Sequence, residues 1–211
     1  MERIPTIEDP RGNLSFIQSG PGGACPFEIG TVAWDGREGA MTVPVPGTDA
    51  VLGLSPARDP LEIPAAQGVY ADAHATSRTS DCRIIALPRR AVANGSGLLP
   101  FEVARVFYIH GIPAGAERGG HSHHQDQELI IALRGSFSVC VDDGAGSARS
   151  FRLDRADRGL YVPAGLWRTL DGFSDGAVCL TLITNRFSEA DYVRGYDDFL
   201  TLTSRKKQCR S

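Results

Sequence analysis

Four of the five histidines of this chain lie close together, where they could carry proton-transfer or metal chemistry. They are His110, His121, His123 and His124. On an extended strand, residues i and i+2 point to the same side, so His121 and His123 can converge on one cavity. Glu128 follows a short polar stretch that can turn and return its carboxylate to that cavity. The spacing therefore predicts a site built on these three side chains.

These side chains suit more than one kind of chemistry. Imidazole, with a pKa of about 6.5, is suited to proton transfer near neutral pH. Two imidazoles and one carboxylate are also the donor set of a facial metal triad, which suits iron(II). An isolated His-x-His is just as typical of a hydrogen-bonded surface pair. The residues alone leave all three interpretations open.

The elements that must position the site are predicted to be strands. The 211 residues include 24 glycines and 13 prolines, which indicates many turns and few long helices. Short apolar runs at 105–109, 129–133 and 136–141 are bounded by turn residues, and similar runs follow them. Such close spacing predicts an all-β sandwich or barrel.

One helix is predicted to close the chain, with Ser188 as its cap and Asp191 completing a capping box. Its apolar face is expected to carry five side chains, those of Tyr192, Val193, Tyr196, Phe199 and Leu200.

The chain divides near residue 80, after a small and polar stretch at 70–82 that is typical of a linker. Pro26-Phe27-Glu28-Ile29 is echoed by Pro100-Phe101-Glu102-Val103. We therefore interpret residues 1–80 as a partial, degenerate copy of the fold formed by residues 81–211, which carry the chemistry.

Charge and composition limit the partners and the compartment. Twenty-two Lys and Arg against 25 Asp and Glu give a net charge of −3 and no general electrostatic reason to bind nucleic acid or an anionic membrane. The first residues, Met1 to Pro5, lack a signal-peptide layout. The five cysteines form no CxxC pair and are expected to be reduced thiols. We expect a cytoplasmic protein with neither a nucleic-acid nor a membrane partner.

The histidine segment resembles the first motif of the cupin superfamily, which is matched by Gly115, His121, His123, Glu128 and Gly135. The second cupin motif is matched loosely over 159–168, with Arg168 where a metal-binding histidine would stand. A protonated guanidinium cannot ligate a metal. The resemblance implies a double-stranded β-helix, the jelly-roll barrel of cupins, with a C-terminal helix and an incomplete metal site.

A closer resemblance covers residues 81 to 201. The strings at 105–109, 113–123, 135–139 and 189–199, among others, are similar to the sugar 3,4-ketoisomerase family. Members act on dTDP-4-keto-6-deoxyglucose without a metal and are dimeric β-barrels. The resemblance implies a nucleotide-sugar isomerase of deoxysugar biosynthesis, with no cofactor and a homodimeric assembly. Because members exchange N-terminal strands between subunits, residues 1–80 are hypothesised to supply such strands within one chain.

The resemblance also implies roles for individual residues. His121 and His123 align with the paired active-site histidines, which would move the keto group from C4 to C3 through an enediol. His121 is expected to be the principal base, and His123 to shuttle the second proton or polarise the enediol. Tyr108 and Arg118 align with the family's tyrosine and arginine, for a sugar oxygen and a phosphate oxygen. Arg168 is expected to contact a phosphate or carbonyl. For Trp167 two roles stay open, stacking on the nucleotide base and packing in the core.

Three positions depart from the family pattern: His124 replaces a lysine, Glu128 a glutamine and Thr169 a glutamate. Glu128 adds a negative charge beside the substrate, which would raise the pKa of a nearby histidine or restore a metal site. Two alternatives to the isomerase follow. One is a metal-dependent cupin enzyme using His121, His123 and Glu128. The other is a cupin that binds a nucleotide sugar without turning it over.

Overall fold

The structure, a computed structural model, describes residues 75–87 and 99–208. It also describes the backbone of short strand segments at 6–7, 13–18, 33–35, 40–44, 51–52 and 90–92.

Strands dominate the described residues. In chain order they are β1 (Thr6–Ile7), β2 (Asn13–Gln18), β3 (Ala33–Asp35), β4 (Ala40–Pro44), β5 (Val51–Leu52), β6 (Arg83–Ala86), β7 (Arg90–Val92), β8 (Arg105–His110), β9 (Arg118–His123), β10 (Glu128–Arg134), β11 (Phe137–Asp142), β12 (Ala148–Leu153), β13 (Arg158–Val162), β14 (Trp167–Asp171), β15 (Val178–Ile183) and β16 (Tyr192–Val193). Helix α1 spans Tyr196–Gln208, and short 3₁₀ turns span Thr79–Asp81 and Glu189–Asp191. No helix in the described part of the chain is long and apolar enough to cross a membrane.

The strands form antiparallel sheets. A seven-stranded sheet has the order β1-β2-β8-β15-β10-β13-β6, and a five-stranded sheet has the order β12-β11-β14-β9-β16. Strands β5, β4, β3 and β7 form a separate four-stranded sheet. The two larger sheets face each other, which confirms the predicted all-β barrel with a C-terminal helix. The runs predicted to be strands between 105 and 183 all lie in these two sheets.

The seven-stranded sheet is apolar on both faces, because its strands alternate between two cores. On β10, Ile130 and Ala132 face the five-stranded sheet and pack with Phe137 and Val139. Their neighbours Leu129 and Ile131 face the opposite side. That outer side is covered by the segment that precedes β8 and contributes Leu87, Leu99, Phe101 and Val103. Glu128 begins β10 on the inner face, because it is two residues before Ile130.

The N-terminal part of the chain contributes to the larger of the two sheets. Strand β2 pairs with β8 in a register that sets Asn13 opposite His110 and Gln18 opposite Arg105. The Ala75 N–H also donates to the carbonyl of His124 at 2.8 Å. The hypothesis of strands supplied within one chain is consistent with this pairing. The boundary at residue 80 and the degenerate-copy interpretation stay predictions.

The predicted start of the closing helix is wrong. Residues Glu189–Asp191 form a 3₁₀ turn, Tyr192–Val193 form β16, and the helix begins at Tyr196. Ser188 makes no side-chain capping hydrogen bond. The reason is tertiary: β16 pairs with β9, and the Asp191 side chain binds groups outside its own segment.

Docking of the segment at residue 75 on the barrel can be tested at Gly165. A Cβ at Gly165 (φ +81°) would overlap the Ala75 carbonyl, whereas a Cβ at Gly115 (φ +78°) would meet open space. Both alanine variants carry backbone strain of about 1–3 kcal/mol. We expect Gly165→Ala to lower the free energy of unfolding by at least about 1 kcal/mol more than Gly115→Ala, measured in urea. Equal losses of unfolding free energy in the two variants would contradict the close approach of Gly165 to the Ala75 carbonyl.

Candidate active site

A β-bulge aims the side chains of β9 into the barrel. Opposite β14, His121 pairs with Arg168 and Arg118 with Leu170, so β9 carries one residue more than its partner. Gly119 and Gly120 supply the bulge at φ +79° and +70°. Because three positions separate Arg118 from His121, a regular strand would send them to opposite faces. The bulge instead puts both on the inner face, which holds Leu170.

His123 is enclosed, and a carboxyl oxygen lies close to each of its ring nitrogens. Its side chain is fully buried. Its Nδ1 lies 2.9 Å from Asp191 Oδ2, and its Nε2 lies 3.3 Å from Glu128 Oε1. Asp191 in turn accepts hydrogen bonds from the backbone N–H groups of Gln125 and Asp126 at 2.8 and 3.3 Å. The imidazole is therefore fixed between two carboxyl groups.

Two buried arginines pair with carboxyl groups near His123, one with Glu128 and the other with Asp126. Arg168 Nε lies 2.7 Å from Glu128 Oε2, and Arg105 NH2 lies 2.9 Å from Asp126 Oδ2. Burial raises the pKa of the Glu128 carboxyl to about 8 and lowers that of the Arg168 guanidinium to about 9. Opposite charges in contact favour each other's charged form, and these two groups are 2.7 Å apart. We call these six residues the ionic cluster: Arg105, His123, Asp126, Glu128, Arg168 and Asp191.

His121 differs from His123 in its surroundings. It is only partly buried as a whole residue, and its ring lies 5.1 Å from that of His123, nearly perpendicular to it. Burial lowers the pKa of His121 well below its usual range, and the positive charge of Arg168 lowers it further. His121 is therefore a neutral imidazole at pH 7, able to accept a proton.

Some residues predicted for the site lie with the histidines, and others do not. Arg118, Arg168 and Glu128 share the inner face with His121 and His123. Arg168 and Glu128 are 2% and 3% exposed, so they lie behind the imidazoles rather than at an open surface.

Tyr108 and Trp167 lie on other faces. Tyr108 packs against the outer core of the seven-stranded sheet, with its ring 5.4 Å from that of His110. Trp167 alternates with Arg168 on β14 and packs against Tyr196 and Phe199, at 5.1 and 5.8 Å between ring centroids. The structure does not bring the side chains of Tyr108 and Trp167 close to His121 and His123.

The sequence reasoning missed three features. Asp191 and Tyr192 were placed on the predicted helix, yet Asp191 binds His123 and the Tyr192 ring lies 4.3 Å from the His123 ring. The bulge had a visible signal, the pair Gly119-Gly120 directly before the histidines. For Asp191 the sequence offered no such signal, because Asp191 lies 68 positions after His123.

The metal triad considered from the sequence is partly assembled. His121, His123 and Glu128 offer ligand atoms that lie within 4.8 Å of one another. However, one Glu128 oxygen is engaged by Arg168, which also stands where a fourth ligand would be. A cation here would compete with a guanidinium that is already in contact with Glu128. The donor set thus fits a metal poorly.

Comparisons with known proteins agree with this architecture. Residues 82–204 match the family model FdtA, described as WxcM-like, C-terminal. The chain belongs to this family. The resemblance to sugar 3,4-ketoisomerases and the prediction of an enzyme of this type are confirmed at the level of the family.

Individual relatives are similar over the same region. The TDP-4-oxo-6-deoxy-alpha-D-glucose-3,4-oxoisomerase of Aneurinibacillus thermoaerophilus is 35% identical over 101 residues, which cover 48% of this chain and 72% of the relative. A crystal structure of a 3,4-ketoisomerase from Helicobacter canadensis has a TM-score of 0.54 at 30% identity, covering 59% of this chain and 98% of the other. QdtA, a sugar 3,4-ketoisomerase from Thermoanaerobacterium thermosaccharolyticum solved in complex with TDP, has a TM-score of 0.57 at 25% identity. The match covers 61% of this chain and 98% of QdtA.

The ionic cluster makes this FdtA-family site sensitive to the loss of one charge. Removing one partner of a buried ion pair leaves the other uncompensated. We expect Arg168→Leu to lower the free energy of unfolding by about 3–5 kcal/mol, measured in urea. A double variant that also carries Glu128→Leu should lose less than the sum of the single losses.

The control is a surface pair of similar length. Arg158 lies 2.7 Å from Asp154, and both side chains are at least 40% exposed. Arg158→Leu should cost less than about 1 kcal/mol. Similar costs at positions 158 and 168 would contradict a buried charge network.

Proposed function

We propose that the protein is a nucleotide-sugar 3,4-ketoisomerase that moves the keto group of a 4-keto-6-deoxy sugar from C4 to C3. The observation that carries the proposal is the pairing of a neutral, partly accessible His121 with a fully buried, fixed His123 on the inner face of the barrel. The names of the relatives support the substrate class, because one is a TDP-4-oxo-6-deoxyglucose oxoisomerase and another was solved with TDP.

The reaction needs one well-placed base. The C4 carbonyl acidifies the proton on C3, and removal of that proton gives an enediol. Return of a proton to C4 completes the transfer. His121 is suited to both transfers, since it is neutral before the first and carries the proton needed for the second. General acid–base catalysis of this kind contributes about 10²- to 10⁴-fold.

The role of His123 follows from its contacts. A carboxylate is only a hydrogen-bond acceptor, and carboxyl oxygens face both ring nitrogens of His123. A fully buried ring in this position supports His121 by fixing the end of β9. We therefore assign His123 a positioning role, with Glu128 and Arg168 acting through it.

Arg118 is the better candidate for the diphosphate. The bulge sends it to the same face as His121, and a guanidinium fork suits phosphate oxygens. Arg168 is occupied by Glu128 and by the carbonyl of Leu166 at 3.3 Å. A homodimer and a cytoplasmic location stay predictions.

The decisive experiment is incubation with TDP-4-keto-6-deoxyglucose in D₂O, followed by NMR. The wild-type protein should form the 3-keto isomer with deuterium at C4 and, because the reaction is reversible, return 4-keto substrate with deuterium at C3. His121→Asn should reduce incorporation by at least about 100-fold, because it removes the base.

The matched control is His110→Asn. His110 follows Ile109 on β8, and its ring lies beside Tyr108 on the outer side of the sheet. That variant should exchange at the wild-type rate. Normal exchange in His121→Asn would exclude His121 as the base. Binding of the nucleotide sugar by the wild type without any exchange would instead select a non-catalytic binding protein.

A metal enzyme is the second candidate, and the mutual approach of the ligand atoms of His121, His123 and Glu128 favours it. Elemental analysis of the purified protein separates the two functions. The isomerase interpretation predicts full turnover after dialysis against a chelator, because no step needs a metal. A near-stoichiometric metal that is lost in Glu128→Ala, together with loss of turnover on chelation, would support the metal enzyme.

A further inference from the structure

The groups around His121 form two layers that differ in accessibility. His123, Glu128, Arg168 and Asp191 are each less than 5% exposed. His121 and Tyr192 are only partly buried. A substrate that enters the barrel can therefore contact these two side chains without displacing the ionic cluster.

The backbone holds Tyr192 over the histidine pair. Strand β16 pairs with β9 and sets Tyr192 opposite His123, so the two side chains share the inner face. The Tyr192 ring lies 5.0 Å from the His121 ring and 4.3 Å from the His123 ring. The Arg194 guanidinium lies 4.3 Å from the centre of the Tyr192 ring. Asp191, the preceding residue, binds His123, so one turn orients both rings.

The hydroxyl of Tyr192 differs in its hydrogen bonding from those of two other tyrosines. Tyr161 and Tyr196 donate their hydroxyls to Gln127 and Asp142. Among the residues that the structure describes, the Tyr192 hydroxyl has no such acceptor.

We propose that Tyr192 is the second catalytic residue of the isomerase and moves a proton between the two sugar oxygens while His121 moves the proton between the two carbons. The proposal rests on the proposed function and adds the group that completes it. It also assigns to Tyr192 the second proton transfer that the sequence had suggested for His123.

The transfers balance with these two groups. As His121 takes the proton from C3, the Tyr192 O–H gives its proton to the C4 oxygen, which leaves a neutral enediol, an imidazolium and a phenolate. The phenolate then takes the proton of the C3 hydroxyl while the imidazolium returns its proton to C4. The C3 oxygen becomes the new carbonyl, and both side chains regain their starting forms.

One hydroxyl can serve both oxygens because the two oxygens are on adjacent carbons. An acid that protonates the C4 oxygen as C3 loses its proton gives a neutral enediol in place of an enediolate and moves the negative charge to the Tyr192 phenolate. His123 is fully buried and its Nδ1 is hydrogen-bonded to Asp191, so it lies behind the side chains that a substrate can contact. Tyr192 can supply it without breaking a hydrogen bond to any described residue.

The test compares Tyr192→Phe with Tyr196→Phe in the full chain, using TDP-4-keto-6-deoxyglucose as substrate. Each variant removes only a hydroxyl. Tyr196 is an exposed residue, and its hydroxyl donates a hydrogen bond to Asp142 at 2.7 Å. We expect Tyr192→Phe to lower kcat by about 100-fold or more with little change in KM. Tyr196→Phe should keep the wild-type kcat.

A second measurement separates a catalytic hydroxyl from a structural one. Tyr192→Phe should bind TDP and unfold thermally as the wild type does, because the ring and its contacts remain. A kcat within about twofold of wild type, or a parallel loss of TDP binding and thermal stability, would overturn the role of Tyr192. A wild-type protein that does not convert the sugar would instead overturn the proposed function itself.

Discussion

The architecture of the site depends on the ion pair between Glu128 and Arg168, which joins the two sheets of the barrel. Glu128 begins a strand of the seven-stranded sheet, and Arg168 lies on a strand of the five-stranded sheet. Buried charges are tolerated only when they are paired and hydrogen-bonded. The other oxygen of Glu128 faces His123, whose far nitrogen faces Asp191. Because these contacts are linked, the Glu128–Arg168 pair also holds the His123 imidazole in place. Through Asp191 it holds the 3₁₀ turn at Glu189–Asp191, which leads directly into Tyr192.

This constraint explains why two histidines two residues apart serve different purposes. Alternation along β9 sends both into the barrel, but His123 is fully buried with its Nδ1 hydrogen-bonded to Asp191, whereas His121 is only partly buried. Burial and, after it, the positive charge of Arg168 lower the pKa of His121. A buried layer and a partly accessible layer thus arise from the same few contacts.

The sequence was informative wherever local patterns decide the structure. Strands with alternating apolar residues and glycine or aspartate turns, such as 136–141, were predicted because burial on one face has a period of two. His121, His123 and Glu128 were found by their spacing. Tyr108 was placed by resemblance, but its face depends on strand register, which sets it opposite Leu180 on the outer core. Asp191 and Tyr192 have helical spacing with Tyr196, and pairing between β16 and β9 overrides that local preference.

Two departures from related sequence patterns, Glu128 and Arg168, make physical sense only together. A carboxylate at 128 without a guanidinium would be an uncompensated buried charge, and a guanidinium at 168 without the carboxylate would be another. Together they place a permanent cation where other cupins carry a histidine ligand, and they engage the carboxylate that a metal would need. A guanidinium holds its charge across the physiological pH range and does not dissociate. Arg168 can therefore keep a positive charge near His121, while its contact with Glu128 disfavours a metal at the same position.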